Sequence, residues 1–404
     1  MYFINIPNFI SDHITFRKES LFQEDLVNNS SILSQRITAK RVLVIGGAGT
    51  IGSSFIKALL RYEPGELYVV DTNENGLTEL TRDIRSSFRI KAPSTYKTYP
   101  LSFTDDIFYN ILDQHGPFDI VANFAAHKHV RSEKDHHSVS ALLNNNVLHA
   151  KKLLDHLSKK PPKHFFCVST DKAANPVNVM GASKKLMEDL IMSYADKIPI
   201  TTARFANVAF SNGSLLDGFI YRLMKRQPLS APNDVKRYFV SPKESGEICL
   251  LACVLGNSSD IFFPKLAQES MITFSSIADQ FLASLGLKPK ECSSEEEAKA
   301  MADSLSTINE EYPVYYFESD TSGEKSFEEF YTADEELDLE TYQGLGVIKN
   351  IGKKTPDEVN EVISVLTEIL HNESITKQMI VDTMSSYIEN FHHIETGKNL
   401  DQRM

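Results

Sequence analysis

The chain has 404 residues, of which 42% are hydrophobic and 24% are charged. These values are ordinary for a folded globular protein, and the length suffices for a large core and for more than one compact unit. With 54 acidic against 42 basic residues, the formal net charge is −12. This charge argues against a nucleic-acid partner, because phosphate affinity needs a concentrated basic surface.

Cysteine and histidine usage gives no sign of a metal site. Cys249 and Cys253 stand four residues apart in the apolar run "EICLLACVLG", which predicts a buried helix face rather than a ligand pair. His136 and His137 have no third ligand at a useful spacing. We therefore expect these histidines to be exposed and expect no metal.

Targeting and membrane signals are also missing from the sequence. The opening "MYFINIPNFISDHITF" lacks a basic start followed by a long apolar stretch, and no run of 18 apolar residues occurs. We therefore expect a cytoplasmic protein with no membrane association.

The order of apolar segments predicts an α/β fold. Residues 1–40 form a helical extension, and from Arg41 the strand "RVLVIG", a glycine turn, the helix "SSFIKALLRY" and the strand "ELYVVD" form a βαβ unit. Further strands alternate with helices up to about residue 205, which predicts a doubly wound parallel sheet of the Rossmann type. We assign 41–205 to this dinucleotide-binding domain. A smaller mixed α/β region over 206–345 is expected to bind substrate and to interleave with it, and 346–404 is expected to be a helical tail with loose final residues.

The glycine turn between the first strand and the first helix predicts a phosphate-binding site. Gly46, Gly49 and Gly52 permit a tight turn, close approach of a pyrophosphate and close packing of the helix. The second strand ends at Asp71, 19 residues after Gly52. A carboxylate there would accept both hydroxyls of an adenosine ribose and repel a 2′-phosphate, so NAD is favoured over NADP. The alternative is a turn that only connects the two elements. Further predicted cofactor contacts are Thr50, Ile51 and Ala125.

A cluster of reactive side chains follows the strand "HFFCVS". Thr170, Asp171 and Lys172 stand at its carboxyl end, where an open α/β sheet has its ligand crevice. Without that context, a turn with a solvated ion pair would be the simpler interpretation. At the strand end, these three residues are predicted to be catalytic.

The helix after this strand contains half of a known catalytic pair. Short-chain dehydrogenases place a tyrosine four residues before a lysine, and here Met180 stands four before Lys184. A thioether cannot transfer a proton. Lys184 keeps the position that hydrogen-bonds the nicotinamide ribose, while the acid and base must be found elsewhere.

The segment "STDKAANPVNVMGASKKLMEDL" resembles the nucleotide-sugar 4,6-dehydratases that act on UDP-N-acetylglucosamine, within the extended short-chain dehydrogenase superfamily. Four other segments are similar to motifs of that family: "FAAHKHVRSEKD", "RFANVAFSNGSLLDGF", "RYFVSPKES" and "SGEKSFEEF". The resemblance covers residues from about 41 to 330.

The resemblance implies a mechanism in which NAD, held tightly and regenerated each turnover, accepts hydride from C4 of the sugar and returns it to C6 after water leaves across C5 and C6. Lys172 is expected to abstract the C5 proton, with a pKa lowered by burial and by the nearby nicotinamide charge. Asp171, held protonated, would protonate the departing hydroxyl, and Thr170 would bind O4. Methionine at position 180 is a variant found within the family and implies retention at C5. Members of the family generally form homo-oligomers.

Four further residues are expected to bind the UDP-sugar. Arg237 offers a two-point contact to a phosphate, and by resemblance Lys128 and Glu133 lie near the sugar and Asn207 near the nucleotide. The family has arginine where this chain has Asn212, which removes one expected phosphate contact.

Two other functions remain open from the sequence. A UDP-sugar 4-epimerase uses the same fold and cofactor but normally needs the tyrosine that this chain lacks, and a C5-inverting dehydratase would differ only in stereochemistry. A non-catalytic dinucleotide sensor would need the glycine turn but not Asp171 and Lys172.

Overall fold

The computed structural model describes residues 4–130, 133–305, 310–325, 327–349 and 354–397. The helices are α1 (Ile6–His13), α2 (Gln23–Asn28), α3 (Ser30–Ile37), α4 (Thr50–Leu59), α5 (Glu74–Ser86), α6 (Asp106–His115), α7 (His136–Leu143), α8 (His149–Leu157), α9 (Val179–Met192), α10 (Leu215–Met224), α11 (Pro242–Leu255), α12 (Phe274–Ser284), α13 (Glu295–Asp303), α14 (Pro356–Leu370) and α15 (Lys377–Tyr387).

The strands are β1 (Arg41–Ile45), β2 (Glu66–Asp71), β3 (Thr95–Pro100), β4 (Ile120–Asn123), β5 (His164–Val168), β6 (Ile200–Ala203), β7 (Asn207–Val208), β8 (Leu229–Pro232), β9 (Lys236–Arg237), β10 (Phe239–Val240), β11 (Ile261–Pro264), β12 (Ile272–Thr273), β13 (Lys288–Glu291), β14 (Glu311–Phe317), β15 (Glu336–Asp338) and β16 (Leu345–Lys349).

Nine of these strands form the central sheet, in the order β15-β16-β11-β6-β5-β4-β1-β2-β3. The seven strands from β11 to β3 are parallel, and β16 and β15 extend the sheet in antiparallel pairs. The chain winds outward from β1 to β3 and then returns to β4 on the other side of β1. This confirms the predicted doubly wound α/β class, which has a ligand crevice where the strand order reverses.

The sheet is buried on both faces. In β1, Val42 and Val44 belong to one apolar core and Leu43 and Ile45 to the other, and all four are at most 1% exposed. Helices α3, α4 and α11 cover the first face, and α7, α8, α9 and α14 cover the second. Burial on both sides explains why these strands read as continuous apolar runs.

A third apolar core lies beside the sheet. It joins α1, α10 and α12 to the small parallel sheet β13-β14-β8, and its largest fully buried side chains are Phe219, Phe281 and Tyr312. The segment before β1 contacts both units, since Phe9 packs in this core while Phe22 packs under the main sheet. The N-terminal segment therefore links the two units.

Two helices begin with the same local signal. Ser241 and Glu244 form a reciprocal capping box at α11, and Thr355 and Glu358 form one at α14. Each cap satisfies amide groups that have no partner within the helix, and proline at the first helical position adds a backbone angle already suited to a helix.

The burial expected for two cysteines agrees with the structure. Cys249 and Cys253 are buried in α11. Within the part of the chain that the structure describes, no helix combines the length and the apolar character needed to cross a membrane.

The prediction of a helical tail over 346–404 is wrong for 346–349, which belong to β16, and for 388–397, which are not helical. After α15 the chain continues without helix to residue 397, and residues 398–404 lie outside the described part. The amide groups of His392 and Ile394 donate to the carbonyls of Pro176 and Val177. These bonds to a distant loop replace the hydrogen bonds that a helix would make within itself.

A buried ion network lies under the carboxyl ends of β5 and β6. The Arg204 side chain, fully buried after β6, donates to both oxygens of Glu188 on α9 at 2.9 and 2.7 Å. It also donates to both oxygens of Glu335 at 2.9 and 2.8 Å. Burial opposes the charge of Glu188, but Arg204 holds the pKa of that carboxyl below its usual range. The network thus fixes α9 to the sheet.

We expect Arg204→Met to destabilise the protein by about 3–5 kcal/mol, because it leaves two carboxylates in the core without their partner. Urea denaturation measures this free energy. The control is Arg82→Met, which removes an exposed pair with Glu79 and should change stability by less than about 0.5 kcal/mol. Equal effects of the two substitutions would contradict this account of the network.

Candidate active site

A cleft of about 660 Å³ opens between the central sheet and the smaller unit. Its volume lies within the roughly 300–1,000 Å³ of small-molecule sites. Its walls include charged, aromatic and glycine residues from both units: Lys128, Lys172, Asn207, Asp217, Arg222, Arg237, Phe274, Phe317, Gly323, Glu324 and Glu328.

The glycine turn after β1 forms a backbone cradle. Gly46 has a φ of +74°, and a Cβ there would lie 2.5 Å from the amide nitrogen of Ala125. A Cβ on Gly52 would lie 2.3 Å from the carbonyl oxygen of Gly46. Gly49 caps α4 and leaves the amides of Thr50 and Ile51 in its first turn without helical partners. This open, amide-lined turn fits a dinucleotide pyrophosphate.

Asp71 stands at the end of β2, beside this turn. One carboxylate oxygen accepts the amide of Ala48 at 2.9 Å, and the other accepts that of Asn73 at 2.9 Å. Each oxygen keeps a further lone pair, so the carboxylate is oriented and can still accept ribose hydroxyls.

The predicted catalytic residues lie together at the end of β5. The Thr170 hydroxyl donates to Asp171 at 2.8 Å, and Lys172 Nζ donates to the same carboxylate oxygen at 3.0 Å. Asp171 is buried, and Lys172 lies in the cleft wall. A second carboxylate, Glu328, lies 3.6 Å from Lys172 Nζ. The ammonium group is thus flanked by two acids.

The expected lowering of the Lys172 pKa is wrong for the protein itself. Burial acts to lower this pKa, but the charges of Asp171 and Glu328 outweigh burial and raise it above its usual value. The pKa of Glu328 is also raised, chiefly by burial and further by Asp171, against the opposing effect of Lys172. Glu328 lies in the quoted segment "SGEKSFEEF", but its separation from Lys172 in the sequence hid the contact.

The helix that follows carries Met180 and Lys184, both buried. Met180 lies in the apolar core on this face of the sheet. Lys184 Nζ donates to the carbonyl of Val168 at 3.0 Å, and burial lowers the pKa of its ammonium group. Gly181 packs so closely that a Cβ would lie 2.5 Å from the carbonyl oxygen of Lys172. The helix therefore abuts the catalytic cluster directly.

A buried amide that the sequence analysis missed positions the loop after β4. The α7–α8 connection is a π-helix over Asn144–Leu148. Its Asn146 side chain accepts the amide of His127 at 2.9 Å and donates to the carbonyl of His127 at 2.9 Å and to Ser183 at 3.1 Å. It therefore ties the loop that carries Ala125 and Lys128 to α9.

Lys128, Asn207 and Arg237 all lie in the cleft wall with Lys172. Lys128 Nζ donates to the carbonyl of Asn212 at 3.1 Å, and burial lowers the pKa of Lys128 despite Asp217. The Arg237 guanidinium lies 3.5 Å from Glu324.

Two contacts of the Asn212 backbone hold its loop in place. Its backbone amide donates to the Thr50 hydroxyl at 3.0 Å, at the start of α4. Its carbonyl accepts Lys128 as above. The residue that replaces the family's arginine thus touches the glycine turn through its backbone.

Glu133 has other partners than those the resemblance implies. It is buried, and one carboxylate oxygen accepts the Val179 amide at 2.7 Å, while the other binds His393 and lies 3.3 Å from Lys377. Glu133, His393 and Glu395 place donor atoms within 4.8 Å of one another. Lys377 already pairs with both carboxylates, so its ammonium group supplies the positive charge that a metal cation would bring.

The fold and this site define a class: a doubly wound α/β protein with a dinucleotide-type glycine turn after β1 and a cluster of acidic and basic side chains at the end of β5. The chain belongs to the polysaccharide biosynthesis protein family, whose sequence profile matches residues 42–350.

Three curated relatives show the range of this similarity. The chain is 30% identical over 264 residues to MJ1061, an uncharacterized membrane protein of Methanocaldococcus jannaschii, covering 62% of this chain and 74% of that one. It is 27% identical to the probable polysaccharide biosynthesis protein EpsC of Bacillus subtilis, covering 63% of this chain and 42% of EpsC. It is 28% identical to UDP-glucose 4-epimerase of Rickettsia bellii, covering 56% and 66%. The chain therefore spans less than half the length of EpsC.

Solved structures share the fold. Pen from Bacillus thuringiensis superposes with a TM-score of 0.62 at 20% identity, over 83% of this chain and 99% of Pen. DesIV, a dTDP-glucose 4,6-dehydratase from Streptomyces venezuelae with NAD bound, superposes with a TM-score of 0.53 at 18% identity, over 73% and 88%.

We expect Glu328→Gln to lower the pKa of Lys172, because a negative charge that favours the ammonium form is removed. A pH titration of the lysine side-chain resonances by NMR, assigned with Lys172→Arg, measures the shift. Glu329→Gln, which alters an exposed contact to Asn175, is the control and should leave the titration unchanged. If the titration of Lys172 is unchanged in Glu328→Gln, Glu328 does not act on the Lys172 ammonium group and is not part of the cluster.

Proposed function

We propose that the protein is a UDP-N-acetylglucosamine 4,6-dehydratase. The observation that carries this proposal is the contact set of Thr170, Asp171 and Lys172, of which Lys172 lies in the cleft wall, next to a helix with methionine where an epimerase would need tyrosine. The elimination needs a base and an acid near C5 and C6. The resemblance of five segments to this dehydratase family supports the substrate.

The cofactor is proposed to be NAD. The amides of Thr50 and Ile51 would hold the pyrophosphate, Asp71 the adenosine ribose and Lys184 the nicotinamide ribose. NADP is disfavoured because the carboxylate of Asp71 would repel a 2′-phosphate. When bound, the cofactor supplies the hydride acceptor and donor.

Each proton transfer is assigned to a group in the cluster. Thr170 binds O4 of the sugar, and the O4 proton released on oxidation at C4 passes to the Asp171/Lys172 pair, which Thr170 contacts. Lys172 in its neutral form then takes the C5 proton, and Asp171 in its protonated form gives a proton to the departing C6 hydroxyl. Asp171 and Lys172 already share a hydrogen bond, so the two forms are related by transfer of one proton between them. We propose retention at C5, as methionine at position 180 implies.

Arg237 is proposed to face the diphosphate, and Lys128 is proposed to lie near the sugar. Arg237 would exchange its contact with Glu324 for a phosphate, which a guanidinium can bind at two points. Asn207 is proposed to lie near the nucleotide.

A UDP-sugar 4-epimerase is the second candidate, and the similarity to the epimerase of Rickettsia bellii favours it. This reaction needs a proton carrier at O4. The thioether of Met180 cannot serve, so Thr170 would have to relay the proton to Asp171.

The deciding experiment follows UDP-N-acetylglucosamine in deuterated water by proton NMR, with purified protein and no added cofactor. A dehydratase produces a C6 methyl signal with deuterium at C5, and the C5 coupling distinguishes retention from inversion. The C4 epimer as product would favour the second candidate. No conversion, together with rapid exchange of NAD(H), would favour a sensor.

We expect Lys172→Ala to lower kcat by about 10²–10⁴-fold, since general-base catalysis contributes this much. Asp171→Asn should lower it in the same range. Steady-state formation of the 4-keto sugar measures both variants. Lys160→Ala, an exposed residue before β5, is the control. Full activity in either cluster variant would disprove its assigned role.

We expect heat denaturation of the purified protein to release NAD rather than NADP. Chromatography of the supernatant identifies the released cofactor. Asp71→Ala should lower the NAD content because the ribose contacts are lost. Asp83→Ala on the outer side of α5, where Asp83 pairs with Lys57, should retain NAD. Recovery of NADP from the unaltered protein would contradict the assignment of Asp71.

A further inference from the structure

Residues 390–396, here called the strap, lie after α15 and outside the segment that matches the family profile. The strap lies alongside the loop 174–178, which connects the Thr170–Lys172 cluster to α9. The Asn390 side chain donates to the carbonyl of Ala174 at 2.7 Å. The backbone amides of His392 and Ile394 donate to carbonyls of this loop at 3.1 and 3.0 Å. The strap therefore holds the loop by both side-chain and backbone bonds.

The strap also binds the loop 320–324, part of which lines the cleft. The amide of Gly323, a wall residue, donates to the carbonyl of Ile394 at 3.0 Å. Ser322 donates to Glu395 at 2.7 Å, and Thr396 donates to the carbonyl of Asp320 at 2.9 Å. A single segment thus joins the loop on the catalytic side to the loop that carries Glu324, the partner of Arg237.

A charged link connects the strap to the start of α9. Val179, the first residue of that helix, donates its amide to buried Glu133. The other oxygen of Glu133 binds His393 of the strap and lies 3.3 Å from Lys377. A carboxylate at a helix N-terminus stabilises the helix, and a buried carboxylate needs partners to stay charged. His393 and Lys377 therefore hold Glu133 in place, and Glu133 holds the first turn of α9.

We propose that the strap positions the active site, with His393, Lys377 and Glu133 as positioning residues that fix the first turn of α9 against the catalytic cluster. This inference deepens the proposed function, since it concerns the same site. His393 and Lys377 are not assigned to substrate, and both carboxylate oxygens of Glu133 bind protein groups in place of the sugar contact expected from the sequence. Met180 and Lys184 follow within six residues of Val179, and Gly181 touches the carbonyl of Lys172. A small displacement of this turn would thus move the group proposed to hold the nicotinamide ribose relative to Lys172.

The test compares His393→Ala with the conservative variant His393→Gln, whose amide can still donate to Glu133. Lys354→Met is the control, because Lys354 pairs with the exposed Glu389 of the same tail. Two quantities are measured for each: hydrogen exchange of peptides covering 176–184, and kcat and KM for whichever UDP-sugar conversion the unaltered protein performs.

We expect His393→Ala to speed exchange in 176–184 and to lower kcat by roughly ten- to a hundredfold, with a smaller change in KM, because misplacement by about 1 Å has this cost. His393→Gln should restore much of kcat, and Lys354→Met should resemble the unaltered protein. Unchanged kcat in His393→Ala, with or without faster exchange, would overturn the positioning role. So would a loss that His393→Gln does not restore.

If His393→Ala fails to fold, Asn390→Ala replaces it, since this change removes the contact to Ala174 without leaving a buried charge unpaired. It should lower kcat in the same direction, and unchanged kcat would overturn the proposal. A failure of the proposed function can be distinguished from a failure of the strap proposal. In the first case the unaltered protein forms a different product. Hydrogen exchange of 176–184 and the rate of that other conversion then still test the strap.

Discussion

The candidate active site is built on the ion pairs that the buried Arg204 guanidinium makes with Glu188 and Glu335. The guanidinium donates to two carboxylates, one on α9 and one before β15, and Glu188 also accepts the hydroxyl of Ser169 at 2.6 Å. Ser169 directly precedes the Thr170–Lys172 cluster. The Arg204 guanidinium therefore connects the ends of β5 and β6, the helix α9 and the outer edge of the sheet. An ion set of this kind gains little stability over apolar packing, but it accepts few alternative geometries. Such selectivity suits a site that must hold several groups in fixed positions.

The cluster above this network combines acidic and basic groups. With Asp171, Lys172 and Glu328 all ionised, two negative charges face the ammonium group, and the set favours a further proton or the nearby positive charges of Arg237 and Lys325. Burial acts on Glu328 in the same direction by raising its pKa. Because the groups are in contact or close to contact, a proton belongs to the set rather than to one residue. This property allows one cluster to serve as both base and acid at different stages of a reaction.

The sequence predicted those parts of the molecule that depend on local pattern. Apolar runs located the parallel strands, glycine spacing located the turn at Gly46, and the strand-end rule placed Lys172 in the cleft wall, in contact with Asp171. Parts that depend on pairing between distant segments were missed. Glu328, Arg204 and His393 are ordinary charged residues in the sequence, and only the folded chain brings them to their partners. The raised pKa of Lys172 was missed for the same reason, because it depends on Glu328 as well as on its neighbour Asp171.

The contact between Glu133 and His393 has a consequence for synthesis of the protein. These residues are separated by 260 positions, and ribosomes add about 5–20 residues per second. For roughly ten to fifty seconds, therefore, the nascent chain holds Glu133 and the start of α9 without the segment that completes them. The proposed positioning of α9 is thereby tied to translation of the last part of the described chain, because a growing polypeptide with its sheet already formed still lacks the partner of Glu133.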